Sequence, residues 1–273
     1  MAKAFVIDVA ACNGCYNCQI ACKDEHVGND WLPYAKAQPD IGQFWTRLDE
    51  VAEGTAPKVK IHWMPKMCNH CDHPACLTDD GSVYKREDGL VIIDPEKAAG
   101  RKDIAERCPY GAIYWNEELS LAQKCTGCAH LLDNGYEKPR CVESCPHDAI
   151  SFGDEEDLTD LIEGAIVLKP ETGCGPKVFY RNVPGKFIAG TVYDPVEEEI
   201  IEDAVCRLVN GGKLWIEKTD GYGDFWFKDL PVGIYDLVIE APGFEPKVFN
   251  GLRAKGSLNL GDIPLSRKGE QDG

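Results

Sequence analysis

Four stretches of this chain space cysteines as ligands of a metal centre are spaced. CNGCYNCQIAC places Cys12, Cys15, Cys18 and Cys22 at C-x2-C-x2-C-x3-C, and CNHCDHPAC places Cys68, Cys71 and Cys76. CPYGAI sets Cys108 before a proline, and CTGCAHLLDNGYEKPRCVESCP carries Cys125, Cys128, Cys141 and Cys145. Twelve of the 14 cysteines fall in these stretches, at gaps too tight for a disulfide framework. Zinc is the competing reading, but it takes isolated C-x2-C pairs into a tetrahedral site. A three-cysteine loop with a remote Cys-Pro suits a cubane instead, because a tight loop wraps three corners and cannot reach the fourth.

How the cysteines combine follows from counting. CPYGAIYW and CPHDAISF share Cys-Pro-x-x-Ala-Ile-aromatic, and each follows a possible short helix (GRKDIAER, and the residues around CVES) and leads into a strand-like run. A bacterial-type ferredoxin half is built this way. Asp80 stands four residues after Cys76, where a fourth cysteine would complete that run. Pairing the motifs in chain order leaves one site with three cysteines plus Asp80 and orphans Cys145. Nesting them, first with fourth and second with third, uses every ligand cysteine. The sites are then Cys12, Cys15, Cys18 and Cys145; Cys22, Cys125, Cys128 and Cys141; and Cys68, Cys71, Cys76 and Cys108. A fourth site would need Asp80, Ala98, Arg101 and Ile104, so Asp80 marks a deleted cluster. Three [4Fe–4S] clusters are expected.

Other residues carry less. Cys174 and Cys206 have no partners at ligand spacing and read as ordinary buried thiols. His70 and His73 lie in a cluster loop, where imidazoles can tune a potential, although solvent-facing loop histidines are the plainer reading. Lys23, Arg107 and Lys124 each adjoin a ligand; offsetting cluster charge and ordinary surface placement are equally open. No nucleophile–base pair, phosphate loop or paired carboxylates stand out, so no catalytic residue is expected on this chain.

Among 273 residues, 46 acidic against 29 basic give a net charge of −17, which argues against a nucleic-acid or anionic-membrane partner. No run of eighteen apolar residues and no secretory-type N-terminus is seen, so a reducing, cytoplasmic location is expected.

The four motifs together resemble the iron–sulfur subunits of dimethyl sulfoxide reductase-type molybdenum enzymes over about residues 1–185. That resemblance implies electron transfer to or from a large catalytic partner, in a heterodimer, holding a molybdenum bis-pterin guanine dinucleotide. Family members usually carry four clusters. The loss of one, the one farthest from molybdenum in the family, and the gain of a C-terminal domain look like the transhydroxylase branch, which moves hydroxyl groups between polyhydroxybenzenes. The site with Cys12 would then lie nearest the partner. Alternatives are a respiratory oxidoreductase subunit of the same family, a free polyferredoxin, or a metal-stabilised scaffold.

Beyond residue 185 the texture changes. FIAGTVY, AVCRLVN, KLWIEKT, DFWFKDL and IYDLVIEA read as short strands between turns, a β-sandwich over 186–273. This part resembles an immunoglobulin-like or carboxypeptidase-regulatory-like domain, with Gly223, Gly233 and Gly243 in turns and Phe225, Phe227 and Tyr235 in the core. The expected class is therefore α+β: two nested ferredoxin-like modules over 1–185, then the sandwich.

Overall fold

The computed structural model describes residues 2–269. It divides into two compact units: the chain through Val51 with His62–Val183, and Ala52–Ile61 with the chain from Pro184 onwards.

The first unit is organised on β1 (Lys3–Asp8), which is buried on both faces. Successive strand residues point to opposite faces. Phe5 and Ile7 accordingly enter a core shared with Cys18, Cys22, Cys68, Cys125 and Cys141, while Ala4 and Val6 pack with Leu158 behind the sheet. β1 pairs antiparallel with β8 (Ile150–Asp154) and parallel with β10 (Val178–Arg181), and β9 (Ile166–Val167) closes the edge. Three ribbons complete the strands: β2–β3 (Arg47–Thr55, Lys58–Lys66), β4–β5 (Val83–Lys85, Val91–Ile93) and β6–β7 (Tyr114–Asn116, Leu121–Gln123).

The helices are short: α1 (Asn17–His26), α2 (Asp103–Glu106), α3 (Ala129–Asp133), α4 (Arg140–Glu143) and α5 (Thr159–Ile162). α2 lies within GRKDIAER and α4 at CVES, and each leads through Cys-Pro into a strand, β6 or β8, as the echo in the sequence suggests.

The second unit packs two four-stranded sheets on one core. One joins β11 (Lys186–Asp194), β12 (Glu199–Ile200), β15 (Asp224–Leu230) and β18 (Leu258–Pro264); the other is β14 (Lys213–Lys218), β13 (Val205–Asn210), β16 (Gly233–Glu240) and β17 (Lys247–Ala254), in that order. Phe225, Phe227 and Tyr235 are buried there with Ile188, Leu208, Leu237 and Ile263. Gly223 and Gly243 adopt positive φ in turns. Gly233 does not: it opens β16, where an added Cβ would meet the Asn210 amide nitrogen at 2.4 Å.

A boundary drawn along the chain at 185 leaves out residues 52–61, the tip of the β2–β3 hairpin, which belong to the second unit. The ties are polar. Lys58, buried, pairs with Asp224 at 2.6 Å, Ser257 donates to Glu53, which also pairs with Lys186, and the Asn259 amide donates to the Thr55 carbonyl at 3.0 Å.

All twelve candidate ligands lie in the first unit. Phe227→Ala should therefore destabilise the second unit by about 3–5 kcal/mol and leave bound iron unchanged. Calorimetry alongside an iron assay checks this, and iron loss in step with unfolding of the sandwich contradicts it.

Candidate metal centres

The cysteine loops are shaped by backbone that only some residues accept. In three of the four C-x-x-C spacings (12–15, 68–71 and 125–128) the residue before the second cysteine has positive φ: Gly14 at 76°, His70 at 40° and Gly127 at 64°; the fourth, Cys15–Cys18, runs into α1 instead. Glycine takes this conformation without a Cβ penalty. At Gly14 and Gly127 there is also no room, since a Cβ would lie 2.4 Å from the Trp63 ring or 2.7 Å from Leu90.

The structure gathers the twelve cysteines into three groups of four. Cys12, Cys15, Cys18 and Cys145 line one cavity with Tyr16, His147 and Ala149. Cys68, Cys71, Cys76 and Cys108 line another with Lys124 and Pro109. Cys22, Cys125, Cys128 and Cys141 are all buried, and the mutual repulsion of these thiolates marks their closeness. This last group stands between the other two. On α1 one turn separates Cys18 from Cys22, and on the far side the Cys141 thiol feels Cys18. Cys125 in turn feels Cys68 and lies 3.7 Å from the His70 ring.

Backbone N–H groups aim at the sulfurs in a repeated pattern. His70 N–H donates to Cys68 Sγ at 3.5 Å and Gly127 N–H to Cys125 Sγ at 3.3 Å, each two residues on. Ala112 N–H donates to Cys108 Sγ at 3.5 Å and Ala149 N–H to Cys145 Sγ at 3.3 Å, each four residues on. These alanines are the Ala of the repeated Cys-Pro-x-x-Ala.

The donor set fits a multi-iron group. Burial first, and neighbouring thiols second, push Cys18, Cys71 and Cys125 up to about 12, and Cys128 and Cys141 well above the ordinary thiol range. Four such groups ionise together only around concentrated positive charge. Among the described residues, no three His, Cys, Asp or Glu side chains converge to hold a single metal ion.

Other expectations fare unevenly. His73 is exposed, but His70 is fully buried, so the solvent-facing reading fails for it. Lys124 is buried too, its ammonium donating to the carbonyls of Val91 and Cys125, the latter at 2.9 Å, and facing Cys76 and Cys125. Lys23 is half-buried and bonded to the Pro39 and Gln43 carbonyls, whereas Arg107 is exposed and pairs with Asp103. Cys206 is a plain core thiol.

Cys174 is buried but not isolated: it lines the cavity of Cys68, Cys71, Cys76 and Cys108 and perturbs Cys71. Five thiols thus meet there. The hydrogen bonds separate them. Cys108 Sγ accepts an N–H as a thiolate does, while Cys174 Sγ faces the Thr172 carbonyl at 3.8 Å as a protonated donor.

The positions of the deleted site are filled. Arg101 Nη1 pairs with Asp80 at 2.5 Å, and Asp80 also accepts the Ser82 N–H at 2.9 Å. The Thr78 hydroxyl first, then Ser82 and lastly Arg101, hold its carboxyl below the usual carboxylate range. Ala98 and Ile104 are fully buried beside Val83, Val91 and Leu121.

Residues 59–155 match the 4Fe-4S dicluster domain family and residues 188–266 the carboxypeptidase regulatory-like domain family. Sequence relatives extend the likeness. The chain is 39% identical to the pyrogallol hydroxytransferase small subunit of Pelobacter acidigallici, over 87% of this chain and 90% of that one. It is 34% identical to a tetrathionate reductase subunit of Salmonella typhimurium, over 68% and 74% respectively. With an anaerobic dimethyl sulfoxide reductase chain of Escherichia coli K12 it shares 35% identity over 56% of this chain and 74% of that one. The fold and the cysteine groups thus define an electron-transferring 4Fe–4S iron–sulfur subunit of a redox enzyme complex. Within that class, the chain belongs to the dimethyl sulfoxide reductase-type iron–sulfur subunits, in the family that includes the pyrogallol hydroxytransferase small subunit.

The loop backbone makes a specific prediction. Gly127→Ala combines the clash with Leu90 and a positive φ, so the iron of one site should be lost on assay. Adding Leu90→Ala removes the clash but leaves the backbone cost of about 1–2 kcal/mol, so recovery should be partial. Full iron in Gly127→Ala alone contradicts this account of the loop.

Proposed function

We propose that this chain is the electron-transfer subunit of a molybdenum transhydroxylase that moves hydroxyl groups between polyhydroxybenzenes, pyrogallol to phloroglucinol in type. The single observation that carries this reading is the extent of the likeness to the Pelobacter subunit. An alignment over 87% of this chain must run well into the second unit, whereas the tetrathionate and dimethyl sulfoxide reductase chains align over 68% and 56%. The second unit therefore goes with the hydroxytransferase branch.

In this reading three [4Fe–4S] clusters are bound, by Cys12, Cys15, Cys18 and Cys145; by Cys22, Cys125, Cys128 and Cys141; and by Cys68, Cys71, Cys76 and Cys108. Such clusters supply one-electron transfer at potentials set by the protein. The chain's own work is to hold the thiolates, donate N–H groups to them, keep water from the middle group and bring Lys124 alongside. The sharing of α1 between the first two groups, through Cys18 and Cys22, and the closeness of Cys141 on α4 to Cys145 just beyond it support two interleaved ferredoxin-like modules, and the paired sheets of the second unit support an immunoglobulin-like sandwich. The catalytic metal, molybdenum in a bis-pterin guanine dinucleotide, belongs to a large partner in a heterodimer, with the Cys12 group nearest to it. Among the described residues no helix is long and apolar enough to cross a membrane. We place the complex in the cytoplasm, where 14 cysteines with no disulfide among them stay reduced.

Moving a hydroxyl from one polyhydroxybenzene to another changes no net oxidation state. The purified complex, once primed, should therefore turn over with no added electron donor or acceptor. Turnover that consumes an external acceptor stoichiometrically would replace this reading with a respiratory one. Asp80→Cys should add no iron, since Ala98, Arg101 and Ile104 still offer no ligand; a gain of iron would reopen the fourth site.

A further inference from the structure

His70 occupies a position that its own loop geometry does not favour. The equivalent residues of the Cys12–Cys15 and Cys125–Cys128 loops are Gly14 and Gly127, yet here a histidine accepts a φ of 40°. A non-glycine residue held in the left-handed region points to a function for its side chain. The imidazole is fully buried, and both ring nitrogens are engaged. The Val91 N–H donates to Nδ1 at 3.0 Å, so Nδ1 carries a lone pair and the ring proton of the neutral imidazole sits on Nε2. That Nε2 lies 3.7 Å from Cys125 Sγ.

His70 therefore belongs to the loop of one cysteine group and points a proton at a ligand of the next. Its orientation is fixed through one residue. Val91 donates its N–H to His70, while its carbonyl accepts from Lys124, whose ammonium also bonds the Cys125 carbonyl. Phe5 covers the ring face, stacked at a centroid distance of 6.2 Å.

We propose that His70 is a positioning residue that sets the potential of the middle site, by donating its Nε2–H to the Cys125 thiolate. It also provides a hydrogen-bonded bridge from the Cys68 loop to that site. The inference rests on the reading of the cysteine groups as [4Fe–4S] sites. Reduction adds a negative charge, and a hydrogen bond to a ligand sulfur stabilises the more negative state. Losing such a charge-assisted bond should shift the reduced-to-oxidised ratio about tenfold, ~59 mV for a one-electron couple.

The test uses the complete complex. His70→Gly gives this loop the residue that the other two carry, so it should fold and load iron while lacking the donor. His70→Asn also tolerates the positive φ but is too short to reach Cys125. Redox titration followed by electron paramagnetic resonance should show one cluster of three harder to reduce by about that factor in both variants, at wild-type iron content. In complex labelled with 15N at histidine alone, pulsed resonance should find a nitrogen coupling on one reduced cluster that disappears in His70→Gly. Unchanged potentials at full iron content overturn the proposal, as does loss of iron in both variants, which would make His70 a folding residue. Wild-type complex without cubane iron would instead overturn the underlying site reading.

Discussion

Everything in the first unit answers one electrostatic demand. Twelve cysteines are drawn together, most of them buried, where burial and mutual repulsion oppose ionisation. Such an arrangement is stable only if positive charge arrives at the centre of each group and N–H dipoles arrive at the sulfurs. The short helices, narrow ribbons and left-handed loop residues are the backbone's means of aiming those groups. Regular secondary structure is sparse around the cysteines because a loop that wraps three corners of a cube cannot also be a helix. The second unit, which bears no such demand, is built almost wholly of paired strands.

The deleted site shows the same demand in reverse. Where four ligands would stand, the chain has Asp80, Arg101, Ala98 and Ile104. The first two satisfy each other as an ion pair at the surface, and the last two fill the interior. An exposed pair of this kind contributes little stability, so the apolar packing of Ile104 and Ala98 is what holds this region.

How much of this could be read from the sequence depended on how local the cause was. That twelve cysteines come together in the first unit was legible, because the spacing within each loop is a property of adjacent residues. The strands of the second unit were legible where hydrophobic alternation was clean, as at Phe225, Phe227 and Tyr235, whereas β17 and β18 went unread. Other features depend on contacts between distant segments. Cys174 meets the third cavity across the fold, Lys124 is buried under Val91, and residues 52–61 join the second unit through Lys58 and Glu53. His70 was misread as a solvent-facing loop residue, although aligning C-N-G-C, C-T-G-C and C-N-H-C would have shown a histidine standing where the other loops keep glycine.

The central claim is that three full cysteine quartets, and no fourth, define this subunit. Metal quantification of the purified complex, with iron and molybdenum measured against protein, tests it most directly. Three cubanes predict twelve irons per chain and no stoichiometric zinc, with molybdenum present in the partner. Sixteen irons, eight irons, or zinc at the cysteine sites would contradict it.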